Sequence, residues 1–143
     1  MMGKKHVKTI IVDDEQHIRA LLKTVLQSMK IEIAGEGKNG QEGLDLYKQE
    51  KPHITFLDVN MPIMDGKTAL QEIKNLNPAA CVIMLSSVTS IEIVQECLEM
   101  GADNYIRKDT PIKEMKQIIK TTWEDHIAFL QSDKKTEQPP EKS

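Results

Sequence analysis

The chain of 143 residues is long enough for one domain and too short for two domains of ordinary size. Its formal net charge of −3 lacks the basic surplus that neutralises nucleic-acid phosphates, which argues against a nucleic-acid-binding module. No apolar run is long enough to span a bilayer, and the N-terminal stretch has no signal-peptide pattern. We therefore expect a cytoplasmic protein that neither inserts into a membrane nor binds nucleic acid.

Short apolar strands alternate with amphipathic helices along the chain. Apolar runs closed by polar residues predict strands over 8–14, 31–36, 53–58, 81–85 and 104–107. Apolar residues at helical spacing follow each strand and predict helices within 18–29, 38–51, 69–76, 91–98 and 110–130. Gly101 is expected to close the fourth helix, and Thr110 and Pro111 to begin the fifth. The folded domain should span residues 1–131, followed by a polar, disordered tail over 132–143.

This alternation predicts an α/β fold, in which a doubly wound five-stranded parallel sheet is covered by helices on both faces. The carboxyl ends of parallel strands point to the same edge, so residues that end or follow the strands should meet there. They are three carboxylates, two hydroxyls and an ammonium: Asp13, Asp14, Asp58, Ser86, Ser87 and Lys108.

The expected cluster of carboxylates needs a positive partner. Two like charges about 5 Å apart repel by roughly 3 kcal/mol at an effective dielectric constant near 20. Lys108 supplies one positive charge, and a divalent cation with oxygen ligands, Mg²⁺, would supply more. An ionised aspartate beside Mg²⁺ can attack phosphorus and form an aspartyl phosphate, while the metal, a lysine and a hydroxyl share the charge on the phosphoryl oxygens.

Five segments of the chain carry a family resemblance: "IIVDDE", "GKNGQEGL", "ITFLDVNMPIMDG", "VIMLSS" and "GADNYIRK". With these motifs the chain resembles a bacterial two-component response-regulator receiver domain, over residues 7 to about 130. Within that family it is most similar to the stand-alone chemotaxis regulators. The resemblance implies a flavodoxin-like, CheY-like fold with strand order 2-1-3-4-5.

The resemblance also implies a role for each matching residue. Asp58 corresponds to the phosphoacceptor, which explains why an apolar strand ends on a carboxylate. The metal ligands would be Asp14 and Asp58 directly, Asp13 through water, and the backbone carbonyl of Asn60. Ser86 and Lys108 would contact the phosphoryl group, and Tyr105 would be the aromatic residue that rotates on activation together with Ser86.

The implied function is that of a stand-alone, monomeric regulator that takes phosphate from a histidine kinase. Its output would be contact with a target protein through the face of the fourth helix, fifth strand and fifth helix, and a phosphatase could be a further partner. A phosphorelay intermediate remains an alternative. So does a Mg²⁺-dependent aspartyl-phosphate phosphatase, although Asn60 stands where such enzymes carry a second aspartate. A receiver without phosphorylation is disfavoured by the retained acids, hydroxyl and lysine.

Two positions depart from the family pattern. Asp109 replaces the proline that usually follows the lysine, so we expect a trans Lys108–Asp109 bond, and Ser87 stands where alanine is commoner.

Other residues are expected to have structural roles. Asp65 should cap the third helix, and Cys81 and Cys97 should be buried free thiols. The four histidines have no shared spacing and are expected at surface or edge positions rather than as metal ligands or phosphohistidines: His6, His17, His53 and His126.

Overall fold

A computed structural model of the chain describes residues 6–137. The strands are β1 (Lys8–Val12), β2 (Glu32–Gly37), β3 (Ile54–Asp58), β4 (Cys81–Ser86) and β5 (Asn104–Arg107). The helices are α1 (Gln16–Ser28), α2 (Gly40–Glu50), α3 (Gly66–Leu76), α4 (Ile91–Glu99) and α5 (Ile112–Glu137). No helix within residues 6–137 combines the length and the apolar character that a membrane crossing requires.

The strands form one parallel sheet in the order β2-β1-β3-β4-β5. This order confirms the predicted doubly wound fold. Asp58 at the end of β3 is opposite Leu85, and Ser86 at the end of β4 is opposite Arg107. The carboxyl ends of the three strands are therefore level, which brings the residues that follow them to one edge.

The core consists of two layers because successive strand residues face opposite sides of the sheet. Ile10 and Val12 of β1 pack with side chains of α2, α3 and α4, whereas Ile11 packs with α1 and α5. Both central strands β3 and β4 are buried along their whole length, as expected for parallel strands covered on both faces. The strand ends are thus held by packing on both sides, and the residues there have well-defined positions.

Most predicted boundaries agree with the observed ones to within two residues. Asp65 caps α3, since its Oδ1 accepts a hydrogen bond of 2.8 Å from the Thr68 amide. Gly101 follows the last residue of α4 and its cap with φ of 112°, a conformation that glycine favours. The predicted start of α5 is close, because the helix begins at Ile112 and the Pro111 carbonyl accepts its first hydrogen bond from the Met115 amide.

The boundary between the folded domain and the predicted tail over 132–143 stays a prediction. The helix α5 continues to Glu137, six residues past the predicted last residue of the domain, 131. The N-terminal residues 1–5 of the predicted domain and the remaining tail residues 138–143 lie outside the described part of the chain.

Two glycines hold the loop after β3 close to the end of that strand. A Cβ atom on Gly66 would lie 2.0 Å from the carbonyl oxygen of Asp58, and one on Gly40 would lie 2.3 Å from the carbonyl oxygen of Met64. The two amides donate hydrogen bonds to the Val59 and Met64 carbonyls respectively. Any side chain at these positions would push the loop away from the strand, so glycine is required by the close approach.

Candidate functional site

The structure brings the three predicted acids together at the carboxyl edge of the sheet. Asp13 and Asp14 follow β1, and Asp58 is the last residue of β3. One carboxylate oxygen from each lies within 4.8 Å of the others. Asp13 and Asp58 are almost fully buried, whereas Asp14 is exposed to solvent. The predicted cluster of like charges therefore exists, with two of its members removed from water.

Lys108 follows β5 and reaches into this cluster. Its Nζ lies 3.1 Å from Asp13 Oδ2 and 3.2 Å from Asp58 Oδ1. The closest partner is Glu15 Oε1, at 2.6 Å. Sequence reasoning missed Glu15, although its position directly after the acid pair was a signal that a further carboxylate stands at this edge. Lys108 is thus shared among three carboxylates.

The surroundings change the pKa values of these groups. Burial and the neighbouring charge of Asp13 raise the pKa of Asp58 to about 7, although Lys108 opposes the change. Burial also raises the pKa of Asp13, against the hydrogen bond from the Glu15 amide and the charge of Lys108. Burial acts to lower the pKa of Lys108, but the three carboxylates outweigh it and raise that pKa. The ammonium is therefore permanent, while the two buried carboxyls ionise less readily than usual.

The acidic cluster fits a magnesium ion. Among the described residues, Asp58 Oδ2 and Asp13 Oδ2 are buried and accept no hydrogen bond, although Lys108 Nζ lies near the latter. Such orphaned anionic oxygens are costly unless a cation or ordered water satisfies them. Mg²⁺ binds through one or two carboxylates and retains several waters, which suits two buried oxygens beside the exposed Asp14.

A cavity of about 250 Å³ gives access to the cluster. It is lined by acids, a lysine, an amide and a hydroxyl: Asp14, Glu15, Asp58, Asn60, Ser87 and Lys108. The Asn60 amide lies 3.4 Å from Asp58 Oδ1, and its side-chain nitrogen donates a hydrogen bond to Ser90 Oγ at 3.2 Å. Ser87 Oγ lies 3.1 Å from the same Ser90 oxygen. A short network of polar side chains therefore borders the cavity.

Ser86 is the last residue of β4, and Tyr105 lies within β5. Ser86 ends β4, is buried, and accepts a hydrogen bond of 2.8 Å from the Lys108 amide through its carbonyl. Its neighbour Ser87, rather than Ser86 itself, lines the cavity. Tyr105 lies opposite Met84 in the sheet and is half-buried against the layer formed with α2, α3 and α4.

The expectation of surface histidines is wrong for His126. This residue of α5 is buried, and its Nδ1 lies 2.6 Å from Asp103 Oδ2. Its ring also stacks against Trp123. The three other histidines are exposed, as expected, although His6 contacts Glu32 and His53 accepts a hydrogen bond from the Lys8 amide. The helical periodicity placed His126 on α5, but no local signal indicated a half-buried acid, Asp103, on the facing loop.

Two further expectations are confirmed. Cys81 and Cys97 are buried free thiols. The described residues contain no cis peptide bond, so the Lys108–Asp109 bond is trans. Asp109 accepts two hydrogen bonds from the guanidinium of Arg107, at 3.0 and 2.7 Å, on the exposed side of this turn.

Comparisons with known proteins give the family. Residues 9–120 match the response regulator receiver domain. The chemotaxis protein CheY of Thermotoga maritima is 37% identical over 107 residues, covering 75% of this chain and 87% of that protein. Protein CcdB of Bacillus subtilis is 35% identical over 109 residues, covering 76% of this chain and 89% of that protein. A solved CheX–CheY–BeF3–Mg²⁺ complex from Borrelia burgdorferi aligns with a TM-score of 0.77 at 29% identity, covering 82% of this chain and 89% of that one.

The matched range includes every strand end that contributes to the acidic cluster and Lys108. Receiver domains are phosphoacceptor signalling domains, and they bind Mg²⁺ at the acidic pocket that this chain also forms. The family match, the CheY relatives and the strand order agree with one another. The chain therefore belongs to the response regulator receiver domains and is CheY-like.

Proposed function

We propose that this protein accepts a phosphoryl group on Asp58 from the phosphohistidine of a histidine kinase and passes the signal on by protein–protein contact. The observation that carries the proposal is the buried Asp58 Oδ2, which accepts no hydrogen bond among the described residues and belongs to a side chain that lines the cavity. An unsatisfied carboxylate oxygen beside a fixed ammonium is suited to attack an electrophilic phosphorus.

In the transfer, a carboxylate oxygen of Asp58 forms a bond to phosphorus as the bond between phosphorus and the donor imidazole nitrogen breaks. The electron pair of that bond stays on the imidazole, which takes a proton from solvent. Lys108 stands 3.2 Å from Asp58 Oδ1, where its charge favours ionised Asp58 and can pair with a phosphoryl oxygen. When bound, Mg²⁺ supplies further positive charge for the phosphoryl oxygens.

The metal would be held by Asp14 and Asp58 directly, by Asp13 through water, and by the backbone carbonyl of Asn60. The clustering of the three carboxylates supports this set, and Asn60 lies on the border of the same cavity. The Ser86 hydroxyl would donate a hydrogen bond to a phosphoryl oxygen. Hydrolysis of the aspartyl phosphate by water would then restore Asp58, so the domain would turn over no external substrate.

The same arrangement supports output through the face formed by α4, β5 and α5. Movement of Ser86 toward the phosphoryl group would open space that the half-buried Tyr105 can occupy. Exposed apolar side chains border this face, with Ile91 56% and Ile112 44% accessible. The CheY relatives support a role in chemotaxis. The regulator would act as a monomer that binds its kinase and a downstream target.

The test is the intact mass of the protein after incubation with phosphoramidate or acetyl phosphate and Mg²⁺. One phosphoryl adduct is expected on the wild type and none on Asp58→Asn. Asp45→Asn changes an exposed acid on α2 and should be phosphorylated like the wild type. An adduct of wild-type yield on Asp58→Asn would contradict the assignment of the phosphoacceptor.

The switch is tested separately by solving the structure with Mg²⁺ and beryllium fluoride. We expect the Ser86 side chain to move toward Asp58 and the Tyr105 ring to turn inward. Unchanged positions of both side chains with the phosphoryl mimic bound would rule out this route of output.

A further inference from the structure

The opposite end of the sheet carries a second cluster of metal-ligating side chains. Cys81 begins β4, Asp103 precedes β5, and His126 lies on α5. One ligand atom from each of these three residues lies within 4.8 Å of the other two. Cys81 and His126 are buried, with 3% and 7% of their surface accessible, and Asp103 is half-buried. Phosphorylation at the carboxyl edge does not use these residues.

We propose that Cys81, Asp103 and His126 form a zinc site with three protein ligands and a fourth position open to water. A thiolate, an imidazole and a carboxylate are ligands that zinc takes in proteins, whereas Mg²⁺ and Ca²⁺ prefer oxygen alone. The two anionic ligands would neutralise the charge of Zn²⁺ in full, which suits a buried position.

The neighbours of the three side chains orient them for a metal. The Val82 amide donates a hydrogen bond of 3.1 Å to Asp103 Oδ1, which leaves Oδ2 for the cluster. The His126 ring stacks against Trp123 with the ring centres 5.8 Å apart and the planes at 13°. Such contacts fix the orientation of metal ligands and contribute to metal affinity.

A route from solvent to the cluster also exists. A cavity of about 230 Å³ is lined by Asp103, His126, Asn104, Thr122, Asp125 and Phe129. Two of the three proposed ligands therefore border a space that can admit the ion and hold the water at its fourth position. Ligand identity, orientation and an entry path are the features that a metal site requires.

Zinc binding would break the direct hydrogen bond between Asp103 and His126. The two atoms are 2.6 Å apart, and a metal between them needs the ligands slightly further apart. Burial, followed by the charge of Asp103, raises the pKa of Cys81, so the thiol is neutral without metal. Formation of the zinc–sulfur bond would release the thiol proton to solvent, as is usual for a coordinated cysteine.

The test uses the full chain, stripped of metal and kept in excess Mg²⁺, with Co²⁺ as a spectroscopic probe and Zn²⁺ as its competitor. A thiolate–cobalt charge-transfer band and visible bands of four-coordinate cobalt are expected in the wild type, and Zn²⁺ should abolish both. Because the acidic cluster at the carboxyl edge contains no sulfur, binding there cannot produce the charge-transfer band.

The two cysteines provide a matched pair of variants. Cys97→Ser removes a buried thiol outside the cluster and should retain the band, whereas Cys81→Ser should lose it. His126→Gln should weaken cobalt binding at least about tenfold while keeping the thiolate band at saturation, and it decides the matter if Cys81→Ser does not fold. Absence of the band in the wild type, its retention in Cys81→Ser, or unchanged affinity in His126→Gln would each overturn the proposal.

A thermal measurement gives an independent readout. Zinc at 100 times its dissociation constant should raise the unfolding temperature of the wild type by roughly 5–10 °C. The rise should persist in Cys97→Ser and be lost in Cys81→Ser. An equal rise in both variants would place zinc elsewhere and contradict the site.

Discussion

The two ends of the sheet hold clusters of different chemistry. At the carboxyl edge, oxygens from strand ends surround the ammonium of Lys108 beside an accessible polar cavity. At the amino edge, Cys81, Asp103 and His126 combine sulfur, oxygen and nitrogen, and a helix supplies one of them. The same strands contribute at both ends, since β4 begins with Cys81 and ends with Ser86. The chemistry of the side chains at each end, rather than the fold, therefore determines which ion can bind there: oxygen ligands at the carboxyl edge, and sulfur, oxygen and nitrogen ligands at the amino edge.

The largest effect is expected at the carboxyl edge, when the charge of Asp58 is removed from the metal-free protein. Because burial favours protonated Asp58 in the fold, folded protein binds more protons than unfolded protein between pH 4 and 7. The contribution of Asp58 to the free energy of unfolding should therefore fall as the pH rises through that window. Asp58→Asn should remove most of this loss and stabilise the metal-free protein above pH 7 by about 2–4 kcal/mol.

Urea unfolding at a series of pH values, with chelator present, measures this effect. Asp45→Asn serves as the control, because that exposed residue should leave the pH profile unchanged. Saturating Mg²⁺ should flatten the wild-type profile. If the free energy of unfolding of the wild type rises between pH 4 and 7 as much as that of Asp58→Asn, burial of ionised Asp58 does not destabilise the metal-free protein, and the prediction is contradicted.

The backbone at the carboxyl edge is probed by Gly66→Ala. The new methyl group would lie 2.0 Å from the Asp58 carbonyl oxygen, so the loop must shift at a cost of about 3 kcal/mol. Gly35→Ala is the matched control, since its methyl group would meet only the flexible end of the Leu46 side chain at 2.8 Å. Chemical unfolding should give the larger loss for Gly66→Ala, and equal losses would show that the loop is not held as described.

At the amino edge, Asp103→Asn should destabilise the protein by about 1–2 kcal/mol, because it weakens the hydrogen bond to His126 and leaves buried groups less well paired. The phosphorylation yield with phosphoramidate and Mg²⁺ should not change. A variant of wild-type stability would show that the Asp103–His126 hydrogen bond does not stabilise the fold. A folded variant that no longer accepts phosphate would show that the two ends are not independent.

The smallest expected effect tests whether Mg²⁺ at the carboxyl edge and Co²⁺ at the amino edge bind independently. Asp14→Asn should weaken Mg²⁺ binding about tenfold, or ~1.4 kcal/mol, because it removes the exposed carboxylate that we propose as a ligand. Calorimetric titration of the wild type and the variant measures this change. The cobalt–thiolate band at the amino edge should be the same in both proteins, and a parallel loss of that band would connect the two sites.

The acidic site could be predicted from the sequence because its residues belong to strand ends. An apolar run that stops at Asp58, together with Asp13, Asp14 and Lys108 after other strands, is sufficient once the strands are parallel. The pattern could not show that Glu15 takes the shortest contact with Lys108, since this depends on how a side chain on the loop before α1 meets one after β5.

The length of α5 and the buried position of His126 were likewise not evident from the sequence. Residues after 131 are polar, and a helix composed of them has no apolar stripe to reveal it. His126 looks like any polar residue on an amphipathic helix until Asp103 is known to lie 2.6 Å from its ring.

The sequence alone determined the strand–helix alternation, the parallel sheet and the carboxylates at its edge. Hydrophobic periodicity is a local property that identifies each strand and helix. Once the strands are parallel, the residues that end them must lie at the same edge of the sheet. Only the tertiary structure decided which charges share Lys108 and that Cys81, Asp103 and His126 meet. It also decided which oxygens of Asp13 and Asp58 accept no hydrogen bond from residues 6–137. Those contacts join residues far apart in the chain, and their distances depend on how helices pack against the sheet rather than on any single segment.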